Sequence, residues 1–278
     1  MWSLGIIQGR LSPMVNSQIQ SFPGQGWDLE FELAANIGYE AIEWVLDAAS
    51  VDNNPLLSDS GRRDINSVRN STGIEVASVC CDFFMEHPLH LPLLEAYPAR
   101  GLLLELCRIS REVGINKIEI PLIGPSSVRA LSDRDEFYSL LDLIYPILLK
   151  NDLILLLETD LNVDETKKFL DGVDTELVKI NYDMGNSAFW GFNSSDEITG
   201  YGSHIGNVHI KDCTPDLYSV ELGQGNVDFE TVFSSLREIG FRGEFIVQGA
   251  RFEDNFATAE RHKKFSQKCI EKYLKKYV

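Results

Sequence analysis

LILLLETDLNVDETKKFLDGVDTELVKINYD, residues 153–183, reads as a strand, a helix and a second strand in succession. The apolar run LILLLE at 153–158 gives way to helical spacing over Asp164–Leu170, and then to LVKINYD at 177–183. Two short buried strands joined by a helix make a right-handed crossover, which places the strands parallel. The same grammar extends in both directions. Comparable runs stand at LGIIQ 4–8, AIEWVL 41–46, IEVASVC 74–80, KIEIPLI 117–123, NVHIKD 207–212 and EFIVQG 244–249, making eight in all. Helical spacing recurs over Trp27–Ile37, Leu102–Val113, Glu136–Leu149 and Phe229–Ile239, several times with Gly at the stop position, and a last helix spans Ala259–Lys276. The Pro-, Gly- and Ser-rich patches Ser12–Gly26, Asn53–Gly61 and Pro121–Ser127 are short and read as loops rather than linkers. Eight β/α units with no residue left for a second domain predict an α/β fold, a (β/α)8 TIM barrel, as a single domain over 1–278.

Composition narrows the partners. With 25 Lys and Arg against 42 Asp and Glu, the formal charge of −17 repels phosphate backbones and anionic lipid. Nucleic acid and membrane are therefore poor partners, and the lack of a basic, apolar leader leads us to expect a cytoplasmic protein. The five cysteines, Cys80, Cys81, Cys107, Cys213 and Cys269, are odd in number and lack CxxC spacing, as reduced thiols do. Gly-Gln-Gly at 223–225 does not open a helix after a strand and reads as a turn.

Chemistry in such a barrel is expected at the C-terminal ends of its strands. Glu158 follows five aliphatic residues, Asp183 ends the next run, His209 and Asp212 lie in the seventh, and Gln248 closes the eighth. A carboxylate at the end of an apolar run is costly to bury unless it is paired, and a metal ion is a natural partner. Two carboxylates, an imidazole and an amide oxygen suit Mn2+ or Mg2+ and can accept Co2+ or Zn2+. Each residue taken singly could equally be a polar strand end in a structural ion pair; it is the run of four successive strands that favours a ligand set.

These residues, with LLLETD 155–160, NYDMGN 181–186, IGNVHIKD 205–212 and LGQGNVDFETVFSSLREIGFRGEFIVQ 222–248, resemble the xylose-isomerase-like barrels of sugar phosphate isomerases and epimerases. The opening LGIIQGRLSP at 4–13 matches more weakly. The resemblance implies a divalent-metal enzyme with ligands Glu158, Asp183, His209 and Gln248, acting on a small sugar or sugar phosphate through an enediolate. It implies Glu158 as the catalytic base. Two positions depart from the family's pattern: Gln248 stands where a glutamate usually serves as ligand and second base, and Asn186 where a substrate-binding histidine is frequent.

Without a carboxylate at 248, either the reaction uses one face of the substrate or another acid, Asp82, Glu119 or Glu43, takes the second role. Gln8 and Arg10 end the first run, and Arg10 could grip an anion or form a salt bridge across the mouth. Arg251 is the preferred anion contact, Asp82 faces substrate or caps a turn, and Asn186 is a further substrate contact. Lys211 reads as an ion-pair partner of a ligand carboxylate, and Asp212 as orienting a neighbour. The loop DFFMEHPLH 82–90 could serve as a lid, or its hydrophobes could pack on the rim or on a second subunit of a homo-oligomer. A dehydratase or lyase using the same intermediate is the nearest alternative. A nuclease of this barrel class is disfavoured by acidity and by only five histidines, and a non-catalytic sugar-binding barrel by the presence of Glu158.

Overall fold

The structure, a computed structural model, describes residues 2–216 and 218–275. Eight strands, β1 Ser3–Ile7, β2 Ala41–Val45, β3 Glu75–Cys80, β4 Lys117–Leu122, β5 Ile154–Thr159, β6 Val178–Asp183, β7 Ile205–Ile210 and β8 Glu244–Val247, pair in sequence order, and β8 returns to β1. Every pairing is parallel, so the sheet closes and leaves no edge. Each strand matches one of the eight apolar runs to within a few residues at its ends.

The helices are α1 Leu29–Ile37, α2 Asp59–Thr72, α3 Phe83–Glu86, α4 Leu93–Ile109, α5 Leu131–Asn151, α6 Val163–Leu170, α7 Met184–Trp190, α8 Ser194–Tyr201, α9 Phe229–Glu238 and α10 Asn255–Cys269. The apolar core lies between this ring and the outer barrel wall, with Trp44, Phe31, Phe137, Phe169, Phe233 and Phe245 fully buried. No helix among the described residues is long and apolar enough to cross a membrane.

Three expectations about the connections need correction. The patch 53–61 is not all loop: Pro55–Leu57 forms a 3-10 turn and α2 begins at Asp59, its first turn capped by the Ser58 hydroxyl accepting from the Gly61 N–H. This helix is hard to read because it is so polar, burying only Gly61, Arg62 and Ile65. The crossover helix between β3 and β4 starts at Leu93 rather than Leu102 and runs through Pro98. The last helix starts at Asn255, and its C-terminal part relaxes into a π turn over Ile270–Leu274, while Lys276 lies outside the described residues.

Two irregularities aim side chains at the interior. The β2–β3 register shifts between Ile42 and Glu43, and the β6–β7 register shifts between Ile180 and Asn181. Such shifts re-aim the residue that follows. The extra residue is Ala77 in β3 and Gly206 in β7, so the residues that follow, Ser78 and Asn207, are brought opposite Glu43 and Asn181, and all four are buried.

Candidate active site

The interior of such a barrel is ordinarily filled by branched aliphatic side chains. In this chain one layer is polar: Glu43, Ser78, Glu119, Asn181, Asn207 and His209 are all buried there. They come from β2, β3, β4, β6 and β7 and make contact with one another, which is possible only across the barrel lumen. Burying this many polar groups is justified energetically only where each is partnered or serves a ligand.

His209 is the hub. Its Nε2 lies 2.8 Å from Glu43 Oε2 and 3.4 Å from Glu119 Oε2, and its Nδ1 lies 3.7 Å from Glu158 Oε2. The two Nε2 contacts are ion pairs rather than well-aligned hydrogen bonds, since Nε2, Glu43 Oε2 and Glu119 Oε2 each lack a hydrogen-bond partner. Burial lowers the basicity of this imidazole, but Glu43 and Glu119 outweigh it and raise His209 well above the ordinary range. In the neutral ring the proton belongs on Nε2 between those carboxylates, which leaves Nδ1 to face Glu158 and the Asn181 amide 3.2 Å away.

Glu158 ends β5 where the sequence places it, buried at the mouth. Two amides fix it: Asn181 Nδ2 donates to Oε2 at 3.1 Å, and Asn186 Nδ2 donates to Oε1 at 2.5 Å. Asn181 also donates to Glu119 Oε1 at 3.0 Å and accepts from Asn207 Nδ2 at 2.9 Å, so a single amide ties β6 to β4, β5 and β7. Burial, then the neighbouring Asp183, raise the Glu158 pKa, with His209 and Lys211 opposing. Glu119 is pushed well above the carboxylate range by burial, with His209 opposing and Glu43 and Glu158 adding to the rise.

Asp183 caps α7: its Oδ1 accepts from Gly185 N at 2.8 Å and Asn186 N at 2.9 Å. Its Oδ2 lies 3.5 Å from Lys211 Nζ, the ion pair anticipated for that lysine, which also donates to Asn186 Oδ1 at 2.8 Å. Burial opposes the charge on Lys211, but Asp183 and Glu158 raise its pKa overall. Gln248 donates through Nε2 to Gln20 Oε1 at 2.8 Å, while its Oε1 is buried and unbound. Gln20 in turn donates to Asp82 Oδ2 at 2.8 Å. Burial raises the Asp82 pKa against the hydrogen bonds from Gln20 and Cys80.

A cavity of about 420 Å3 opens over these groups, lined among others by Arg10, Gln20, Asp82, Glu119, Glu158, Asn186, Lys211 and Gln248. The residues singled out from the sequence divide accordingly. Glu158, Asn186, Gln248, Arg10 and Asp82 line it together, and Asp183 and His209 lie just beneath. Gln8 is buried away from it, accepting from Val45 N at 3.1 Å, and so fastens β1 to β2. Arg251 is not among the lining residues; it donates to the carbonyl of Ser12. Met85 and Glu86 of the proposed lid line the cavity, whereas Phe83 and Phe84 turn into the core and His87 stacks on Phe83 at 4.3 Å. Sequence reading missed Gln20, Asn181 and Asn207. The last two stand two residues before Asp183 and His209, and strand alternation by itself puts them on the same face.

The donor set fits a hard divalent cation. Ligand atoms of Glu119, Glu158 and His209 lie within 4.8 Å of one another, as do those of Glu43, Cys80 and Glu119. Asp183 stands outside both sets, on the Lys211 side. The unbound Gln248 oxygen and the surplus of buried carboxylates over cations are what a bound cation would satisfy.

A closed parallel barrel with a carboxylate, imidazole and amide cluster at its C-terminal mouth defines a barrel that handles a small polar molecule. The chain belongs to the xylose isomerase-like TIM barrel family, whose model matches residues 31–269. It is 23% identical over 235 residues to an L-ribulose-5-phosphate 3-epimerase of Salmonella paratyphi A, covering 81% of this chain and 82% of the relative. Among solved structures it resembles D-psicose 3-epimerase from Clostridium cellulolyticum H10, with TM-score 0.76, 15% identity and coverage of 96% and 99% of the two chains. It also resembles the IOLI protein with a bound zinc atom, with TM-score 0.76, 16% identity and coverage of 98% and 99%.

Proposed function

We propose that this chain is a sugar isomerase or epimerase that moves a proton at the carbon beside a carbonyl, with Glu158 as the base. The observation that carries this reading is the state of Glu158: buried at the mouth, held by two amides, and made more basic by burial and by Asp183. A base is most useful when its pKa lies toward the working pH and its rotamer is fixed before substrate arrives. Family membership and the epimerase relatives support the same class.

Glu158, Asp183, His209 and Gln248 would hold one divalent ion, Mn2+ or Mg2+ by ligand type with Co2+ or Zn2+ acceptable. Such an ion supplies Lewis acidity for the charge that develops on the sugar oxygens. Asn186 and Lys211, joined at 2.8 Å, present an amide and an ammonium to the substrate's hydroxyls.

Inversion requires a second acid, and Gln248 cannot serve. Asp82 and Glu119 line the same cavity and burial raises the pKa of both, Glu119 the further, which favours the protonated form that a donor needs, whereas Glu43 is not among the lining residues. Asp82 is the better placed of the two, linked to Gln248 through Gln20 and free of the His209 ion pair. The reaction we infer is therefore epimerisation between Glu158 and Asp82. Turnover of a panel of ketoses in D2O, followed by NMR with Mn2+ present, tests it: inversion with essentially complete solvent exchange is expected, and Asp82→Asn should stop inversion while exchange on the Glu158 side continues. Internal return of the substrate's own proton in the wild type would remove Asp82 and leave a single-base isomerase.

A further inference from the structure

A second cavity, of about 570 Å3, adjoins the mouth and is larger than it. It is built by the segment after β1 and the segment after β2, and Gln18 and Asp47 line both spaces, so they form a shared wall. Its apolar side is Trp27 and Phe22. Trp27 is half-buried and braced edge-on by Phe31 at 6.0 Å and Trp44 at 5.3 Å, while Phe22 packs on Trp44 at 5.5 Å. The polar side is made of uncharged side chains, Ser50 and Asn53 with Gln18, and Asp47 is the one ionisable residue among those lining the cleft. A rigid aromatic wall facing amides and hydroxyls, in a volume inside the roughly 300–1,000 Å3 of small-molecule sites, suits a neutral ring with an apolar face and a hydroxylated rim.

The charges at the mouth point the same way. Asp47, Asp82, Glu86, Glu119 and Glu158 line it, against Arg10 and Lys211. Both cations already carry partners, and Lys211 keeps a single N–H for a substrate hydroxyl. Arg10 donates from Nε to Gly249 O at 2.8 Å, from one terminal nitrogen to Ile19 O at 2.7 Å and from the other to Gln20 Oε1 at 3.2 Å, and Lys211 donates to Asn186 beside Asp183. A phosphate needs convergent free donors or a cluster of Arg and Lys, and neither cavity offers one among the described residues.

Resting on the isomerase or epimerase reading above, we propose that the substrate is an unphosphorylated, two-ring sugar: the reacting ring enters the mouth and a glycosidically linked second ring lies in the Trp27 cleft. The selectivity of the enzyme then resides in residues outside the proton-transfer machinery, Trp27 and Asn53 above all.

The test compares D-fructose, fructose 6-phosphate and the ketose-ended disaccharide lactulose on the Mn2+-loaded protein, by deuterium incorporation and, independently of turnover, by calorimetric binding. Lactulose is expected to surpass fructose 6-phosphate in kcat/KM and in affinity by about tenfold or more. Trp27→Ala should lower the ratio of lactulose to fructose activity by a similar factor, and Asn53→Trp, at an exposed position, should do so by filling the cleft even if the first variant folds poorly. A preference for the phosphate, or equal effects of both variants on fructose and lactulose, would overturn the inference. If no sugar exchanged deuterium while lactulose binding still depended on Trp27 and Asn53, the proton-transfer reading would fall and the two-ring site would stand; if lactulose bound no better than the phosphate, the two-ring site would fall whatever the exchange showed.

Discussion

Gln248 donates its amide nitrogen to Gln20 and leaves its oxygen unbound, so one side chain keeps a free acceptor and orients Asp82 through Gln20. A glutamate there would gain a negative charge for a cation but lose the donor that Gln20 accepts. Gln248→Glu is therefore expected to tighten Mn2+ binding in calorimetry and to slow turnover of the native substrate; looser binding would remove residue 248 from the ligand set. Asp183→Ala should abolish Mn2+ binding, since it deletes a carboxylate and the cap of α7 together, and undiminished affinity would place the ion elsewhere, around Glu119. Glu158→Gln keeps a carbonyl oxygen where the Asn181 and Asn186 amides donate, so the fold should survive while turnover drops. A loss of less than about tenfold, roughly 1.4 kcal/mol of transition-state stabilisation, would show that the base is another residue.

Among the elements, the connection after β7 shows how a short polar signal can order a long loop. Asp212 accepts from Gly223 N at 2.9 Å and Gly225 N at 2.8 Å through one oxygen and from Val227 N at 3.1 Å through the other. The Gly-Gln-Gly turn thus wraps a carboxylate, and Asp212 orients the backbone of that turn. A methyl group on Gly225 would clash with Asp212 Oδ1, so Gly225→Ala should lower the melting temperature by an amount equivalent to about 1–3 kcal/mol. An unchanged melting curve would mean the turn can yield without loss. The strands were legible because each is a short apolar run that local pattern defines without help from tertiary contacts. Helix α2 was not, because its sequence DSGRRDINSVRNST carries almost no apolar stripe and is held by Ser58 and by Arg62 pairing with Asp59 and Glu112. The site shows the same division. Strand-end position exposed Glu158, Asp183, His209 and Gln248, but the register shifts at Ala77 in β3 and Gly206 in β7 leave no mark in the sequence, and Gln20 reaches the mouth from a loop with no periodicity to read.

Across the whole molecule the barrel carries a formal charge of −17, and several carboxylates are buried in it, so its stability should depend on pH through groups that burial forces to hold protons. Glu197 on α8 is the clearest of these away from the mouth. Burial raises its pKa from 4.5 to about 7, despite hydroxyl donors on Ser187, Tyr201 and Tyr182 that act to lower it. The folded state therefore binds this proton more tightly than the unfolded chain. That contribution to stability is complete below the unfolded value of about 4.5 and is lost as pH rises through about 7. Glu197→Gln, which retains an acceptor for the hydroxyls and carries no charge at any pH, should have a flatter dependence over this window, gaining on the wild type as pH increases. Because the repulsion among the remaining carboxylates is common to both proteins, the difference between their urea midpoints at pH 5 and pH 7.5 isolates Glu197. Parallel profiles would show that Glu197 stays ionised in the fold, stabilised by its three hydroxyls more than burial penalises it.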